Sequence, residues 1–511
     1  MNIPELQRLV QQALSKGGQY ADLFFEETIY HELSLRDGQV NAAGTHTDCG
    51  MGVRVLFGEQ TGYAYTESFD PAAMMRAART AACIADGSLP AEAGANAAAG
   101  ATAGANATAG ATAGANAAAG TCATAAAAPT AAAAAPTAAG APAAAGPSAL
   151  AFTNYYPIAT PWEEVSAQAK IPLLQTLNEL VFAADPRVKK VLARLADATT
   201  QVRFYNSEGV SFTDVRPMAS LSVSCIMEEN GHTQTASASR AFRMGAEFLQ
   251  PNLITELAEE VVARTAFQCL ASQPKGGQMP VVMGAGGSGI LLHEAIGHAF
   301  EADFIRKNTS IFSGKLGQRV CQPGINVVDD GTLPYSRGAV NVDDEGVLGQ
   351  KTYMVTDGIL TSFLHDRLSA RLCNATPTGN GRRESFRYMP IPRMRATYME
   401  NGNATEEALI ASVKKGLYVD TFSNGQVQIG AGDFTFYVKS GYLIENGKLT
   451  RPIKDVNIIG NGPQALADIT GVANNYKMDN GTWTCGKEQS CPVSCGMPSV
   501  LIKSLTVGGN V

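Results

Sequence analysis

Residues 283–300 read MGAGGSGILLHEAIGHAF, and two signatures compete for them. Gly284, Gly286 and Gly289 spell G-x-G-x-x-G, a turn that lets backbone approach a dinucleotide pyrophosphate. His293, Glu294 and His298 spell two histidines with a glutamate beside the first, close to the helix of a zinc protease. Which one holds decides both fold and chemistry.

The dinucleotide signature needs a βαβ unit, with an acidic residue on a second strand about 20 residues on. A short strand, MPVVM at 279–283, does precede the glycines, but no second strand follows at that distance. Downstream the chain is rich in hairpins: Asp357-Gly358 and Asn446-Gly447 are turn dipeptides between alternating segments, and GQVQIGAGDFTFYVKS alternates apolar and polar residues. This pattern belongs to antiparallel sheet and not to a doubly wound fold. A nucleotide-binding oxidoreductase using GAGGSG is therefore the lesser alternative. With six histidines in 511 residues, the histidine pair with its adjacent glutamate would arise by chance only a few times in a thousand, by a rough count.

The spacing has a geometric consequence. At 100° per residue, positions i and i+5 of an α-helix diverge by about 140°, too far to share one ion. His293 and His298 converge only where the helix is distorted between them; a π-type turn would do this, and Gly297 lets the backbone deform at low cost. In that geometry the imidazoles hold Zn2+, and Glu294 is general base and then acid on a zinc-bound water. A third ligand is required. Spacing leaves Glu301, Asp303 and the three thiols of TCGKEQSCPVSCGMP (Cys485, Cys491 and Cys495) all open.

Working outward, 511 residues suffice for two or three domains without covalent staples. A net charge of −7, without a long basic cluster, argues against nucleic acid as a partner. MNIPELQRLVQQALSKGG reads as an amphipathic helix and not as a secretory signal, and no apolar run reaches bilayer length. Ten scattered cysteines fit reduced thiols, so a soluble cytoplasmic protein with no membrane association is expected. Residues 91–147 form an Ala/Gly/Thr/Pro-rich low-complexity insertion with little to bury. Helical patterns at 3–15, 71–85, 162–183 and 251–266, with turns at Asp37-Gly38 and Glu208-Gly209, surround it. The expected fold is α+β: an N-terminal mixed α/β domain over 1–275, interrupted by the insertion, and a C-terminal domain over 276–511. The second is dominated by antiparallel β-sheet and carries the metal-site helix.

Residues 287–318, together with YADLFFEE, GVRVLFGEQTGYAYTE, GNGRRESFRYMPIPRMRATYM, the stretch DTFSNG to PQAL and TCGKEQSCPVSCGMPSVLI, resemble the HExxxH-bearing subunit of the TldD/PmbA family of metallopeptidases. The resemblance spans nearly the whole chain outside 91–147. It implies zinc on His293 and His298, catalysis by Glu294, and a third ligand at Cys485. It also implies peptidase action on unfolded or leader-bearing peptides, commonly as a heterodimer with a paralogous subunit lacking the metal motif; a second copy of this chain is the other candidate partner. A non-catalytic scaffold subunit is the runner-up, against which Glu294 argues, since structural zinc needs no adjacent base. Cys491 and Cys495 are extra thiols with packing as their expected role. An extended peptide is held most economically on a sheet edge, for which MGAGGSG, with Gly286 and Gly287, and QIGAGDF are candidates. Arg383, Tyr388 and His365 are candidate donors to a developing oxyanion.

Overall fold

The computed structural model describes residues 1–88, 148–428 and 431–509. The insertion at 91–147 and the Ile429-Gly430 pair of QIGAGDF lie outside the described residues.

The first half is organised by one long antiparallel sheet. Its long strands are β1 (Tyr20–Arg36), β2 (Gln39–Phe57), β3 (Gln60–Thr66), β4 (Val188–Asn206), β5 (Val210–Glu229) and β6 (His232–Phe242), in the order β3-β2-β1-β4-β5-β6, and the two-residue strand Ser148–Ala149 adds in parallel to the start of β5. Asp37 and Gly38 both take positive φ, 51° and 79°, in the two-residue turn expected between β1 and β2. Alternation along β1 divides the sheet's faces. Ala21, Leu23 and Phe25 pack with helices α1 (Ile3–Ala13) and α2 (Pro71–Ala85). Leu33 and Leu35 continue that side against α3 (Ala167–Ala184) and α4 (Pro251–Leu270). The segment expected as one helix from 162 opens instead with a 3-10 turn, Trp162–Glu164; α3 starts only after Ser166, whose side chain accepts the Ala169 N–H.

The opposite face meets the second half of the chain. Phe24, Val202, Phe204 and Phe212 pack against Val342 and Phe386 there. Beside them is a buried ionic network: Asp22 Oδ2 accepts from Arg54 Nε at 2.8 Å, Arg54 also pairs with Glu345, and Arg383 Nη2 reaches Asp22 Oδ1 at 3.4 Å.

In the second half, β7 (Gly277–Met283) pairs in parallel with β8 (Lys415–Gln428) and antiparallel with a C-terminal strand, Val500–Gly508. β8 pairs with β9 (Asp433–Glu445), β9 with β10 (Val456–Asn461), and β10 with Val500–Gly508, so the five strands close into a barrel. A second sheet includes Val327–Asp330, Ala396–Met399 and Ser494–Met497. Most pairings are antiparallel; β7 with β8 and Ala396–Met399 with Ser494–Met497 are parallel. The fold is α+β. β7 runs directly into α5 (Gly289–Ala295), and one apolar core joins Leu291, Leu292 and Ala295 to barrel residues such as Val419, Phe436 and Ile502 and to Met399 and Met497 of the second sheet. The helix that carries His293 is thus fixed between barrel and sheet. Among the described residues no helix is long and apolar enough to cross a membrane.

The ionic seam makes a stability prediction. Asp22 is fully buried and Arg54 1% exposed, so Asp22→Ala leaves two guanidiniums facing each other without their shared carboxylate. Denaturant unfolding should show a loss of about 3–5 kcal/mol; a loss below about 1 kcal/mol, the range of an exposed pair, would mean the seam is not a dry interface.

Candidate metal centre

The glycine tract is closely packed backbone. β7 lies between two strands, Gly284 N–H donates to Val419 O at 2.7 Å, and Gly286 N–H donates to Met497 O at 2.9 Å. MGAGGSG is therefore not a free peptide edge. β7 and α5 also do not open a compact βαβ unit: the strand parallel to β7 is β8, which starts only at Lys415, and the other neighbour of β7, Val500–Gly508, is antiparallel. A Cβ on Gly289 would stand 2.4 Å from Gly496 N, so the helix starts where only glycine fits.

The helix is interrupted between the two histidines, as their spacing requires, but not by a π-turn. It stops at Ala295; Ile296 has φ −130° and ψ −46°, and a 3-10 turn, Gly297–Phe300, follows. Contact pins the break. A Cβ on Gly297 would meet Met394 Sδ at 2.2 Å, and one on Gly462 would meet Ala295 O at 1.9 Å, so neighbouring segments press on the helix end. His298 is thereby turned toward His293, with ring centroids 5.1 Å apart and planes at 81°.

Cys485 completes the cluster. It lies on β11 (Thr484–Lys487), paired in a hairpin with β12 (Gln489–Pro492), and Val500–Gly508 becomes β13. One donor atom each from His293, His298 and Cys485 lies within 4.8 Å of the others, and Cys485 Sγ is 3.2 Å from His298 Nε2. Donors around a tetrahedral zinc stand roughly 3.3–3.7 Å apart, given bonds of about 2.0–2.3 Å. His293 is 1% exposed and neither ring nitrogen has a hydrogen-bond partner among the described residues. A buried imidazole left unpaired is costly, and an ion accepting its lone pair removes that cost. Donor chemistry and orphaned ring both fit zinc.

The surroundings tune these donors. His298 Nδ1 is 2.8 Å from Glu301 Oε2, and Lys487 Nζ is 3.0 Å from the same oxygen and 2.8 Å from Asp303 Oδ1. Burial alone would raise the Glu301 carboxyl, but Lys487 and His298 bring it down to about 2. Burial opposes a charge on His298, yet Glu301 and Cys485 raise it to about 10. Burial likewise raises the Cys485 thiol, and it is overcome by His293, whose ring approaches without hydrogen-bonding geometry, and by His298, leaving it at about 4. Glu294 is the open member: its carboxylate is 21% exposed, with Oε2 3.7 Å from His298 Nε2.

Of the third-ligand candidates, only Cys485 joins the two histidines. Glu301 and Asp303 face His298 Nδ1 and Lys487 instead; Cys491 Sγ accepts from Arg393 at 3.4 Å, and Cys495 is fully buried in the apolar core. The tentative substrate contacts are not gathered here. Arg383 is spent on Tyr63, Asp22 and the Asp344 carbonyl. His365 is buried beside Ser369, and burial drops it to about 4. Tyr388 is 36% exposed, and Gly287 is half-buried beside Asp479. Sequence reasoning missed Lys487 and Arg393, the latter donating to Cys485 O at 2.8 Å. Lys487 carried a signal, since alternation puts it on the face of β11 that bears Cys485.

A three-donor cluster, two from an interrupted helix and one from a hairpin, beside a carboxylate has the ligand set of a metal-dependent hydrolase. Residues 21–85 match domain 1 of the PmbA/TldA metallopeptidases, 160–267 the central domain and 276–509 the C-terminal domain. The chain belongs to this family. It is 36% identical to a metalloprotease TldD homolog of Haemophilus influenzae, over 96% of this chain and 93% of that one. It is 30% identical to a zinc metalloprotease TldD homolog of Saccharolobus solfataricus, over 67% of this chain and 77% of that one. In fold it resembles TldE from Thermococcus kodakarensis, with a TM-score of 0.70, 17% identity, and coverage of 99% of this chain and all of that one.

Glu301 makes the electrostatics testable. In the metal-free protein, Glu301→Gln should let the His298 pKa fall from about 10 toward the ordinary 6.5, followed by NMR of the imidazole carbons. An unmoved His298 would show that Glu301 does not hold its charge.

Proposed function

We propose that this chain is a zinc-dependent metallopeptidase hydrolysing peptide bonds of unfolded or leader-bearing peptides. The observation that carries the reading is the orphaned, buried His293 facing Cys485 and His298, with the Glu294 carboxylate at the open side of the same cluster. In this reading His293, His298 and Cys485 hold the ion. Zinc, when bound, polarises the scissile carbonyl and lowers the pKa of water.

The chain's own groups do the rest. Glu301 Oε2 accepts the Nδ1–H of His298, fixing the tautomer that presents Nε2 to the cluster. Lys487 keeps Glu301 ionised, and Arg393 anchors the Cys485 backbone. Glu294 Oε2 takes a proton from the attacking water and returns it to the leaving amine. The proposed setting is the cytoplasm, supported by eight described cysteines, Cys49, Cys83, Cys225, Cys269, Cys321, Cys485, Cys491 and Cys495, that are free. The proposed partner is a paralogous subunit or a second copy; the likeness to a chain named TldE supports the first. A scaffold role would leave Glu294 without a purpose.

The test is peptide digestion by zinc-loaded protein, alone and with a candidate partner. Glu294→Gln should lose about 10²–10⁴-fold in rate while keeping its zinc, and His293→Ala should lose the zinc. Equal cutting by wild type and Glu294→Gln would refute the role of Glu294. Zinc binding at neutral pH should also release a proton, because His298 gives up one held to about 10. The sign is that affinity rises with pH, read from the buffer dependence of the binding heat; a buffer-independent heat would contradict it.

A further inference from the structure

Beside the metal cluster lies a second concentration of charge that the mechanism does not use. Arg243, Arg337, Arg382 and Arg395 are 8%, 7%, 4% and 2% exposed, and none makes an ion pair among the described residues. Their hydrogen bonds go to main-chain carbonyls. Arg337 donates to Trp483 O, Arg382 to Met394 O and Pro492 O, and Arg395 to Gly379 O. Arg243 makes no side-chain hydrogen bond there and lies over the Tyr156 ring at 5.3 Å.

Buried donors are left over. Arg243 Nε, Arg337 Nε, Arg395 Nη2, Ser336 Oγ and Trp483 Nε1 are all unpartnered. The carboxylates nearest in the field are already engaged. Asp214 accepts from Tyr156, Arg216 and Asn341; Asp344 from Arg216 and the Arg383 amide; Asp343 from three backbone amides. Burial, and then mutual repulsion centred on Arg382, pulls Arg337 and Arg395 down to about 10; burial first, with Arg216 and Arg382 adding repulsion, does the same to Arg243. Like charges buried together without a counter-ion are costly, and an incoming anion offsets that cost.

We infer that Arg243, Arg337 and Arg382, with Ser336 and Trp483, form a binding site for a carboxylate of the substrate peptide, one or two residues from the scissile bond. The peptide origin of the anion rests on the peptidase reading above. The distance comes from the strand: Arg337 holds Trp483 O, two residues before Cys485, and Arg382 holds Pro492 O, next to Cys491, the cross-strand partner of Cys485. Two residues of extended strand span about 7 Å, which is also the reach of one or two residues of extended peptide. A forked guanidinium matches a carboxylate in two parallel hydrogen bonds.

The test separates binding from catalysis by using the zinc-loaded Glu294→Gln chain and fluorescent peptides read by anisotropy. One matched pair differs only in a free or amidated C-terminus; a second keeps the amide and differs in an internal Asp or Asn. The acid should bind at least about 10-fold tighter in one pair, and which pair shows the gap identifies a terminal or a side-chain carboxylate. Arg337→Gln and Arg382→Gln should shrink the gap between acid and amide below about 2-fold, and Arg337→Lys should restore part of it. Should a Gln variant not fold, the comparison in the Glu294→Gln parent still decides. Equal affinity for acid and amide in both pairs overturns the inference, as does inorganic phosphate occupying the arginines with no acid preference among peptides. A wild type that never cuts, with the acid preference intact, defeats the peptidase reading and leaves the carboxylate site standing.

Discussion

The site depends on one buried carboxylate. Glu301 stands between the His298 imidazole and the Lys487 ammonium, 2.8 and 3.0 Å from them, with no exposure to solvent. Each neighbour belongs to a different part of the fold: His298 to the interrupted helix after β7, and Lys487 to the hairpin near the C-terminus. Because side chains alternate on a strand, Cys485 and Lys487 point the same way from β11. The bridge that seats Lys487 on Glu301 therefore also delivers the Cys485 sulfur to His298. The metal reading, the charge state of the donors and the placement of the third donor all follow from that contact.

The contact survives because the backbone around it is crowded. Gly289 against Gly496, Gly297 against Met394 and Gly462 against Ala295 are approaches that a Cβ would block. They clamp a seven-residue helix at both ends, which a helix of this length could not achieve by its own hydrogen bonds. The glycines that resemble a nucleotide fingerprint serve packing, and the barrel core holds the helix from below.

Much of this was legible in the sequence, for local reasons. Turn dipeptides marked the hairpins, and Asp37-Gly38, Asp357-Gly358 and Asn446-Gly447 all adopt the positive φ that such turns demand. The five-residue spacing of the histidines required a broken helix. The form of the break was not legible, because Met394 and Gly462, distant in sequence, impose it. Spacing also left five candidates for the third donor, since 187 residues separate Cys485 from His298; only the family resemblance pointed to Cys485. Arg383 was expected at the substrate; that its charge is matched by Asp22, 361 residues away across the seam between the two halves, was not legible from local sequence.

The account's central claim is that two imidazoles and one thiolate, carried by separate elements, converge on a single ion. X-ray absorption at the zinc edge of the metal-loaded chain tests it directly. The predicted shell has two nitrogens at about 2.0–2.1 Å and one sulfur at about 2.3 Å, the sulfur vanishing in Cys485→Ser. A shell of nitrogen and oxygen alone, or a sulfur that persists in that variant, would contradict it.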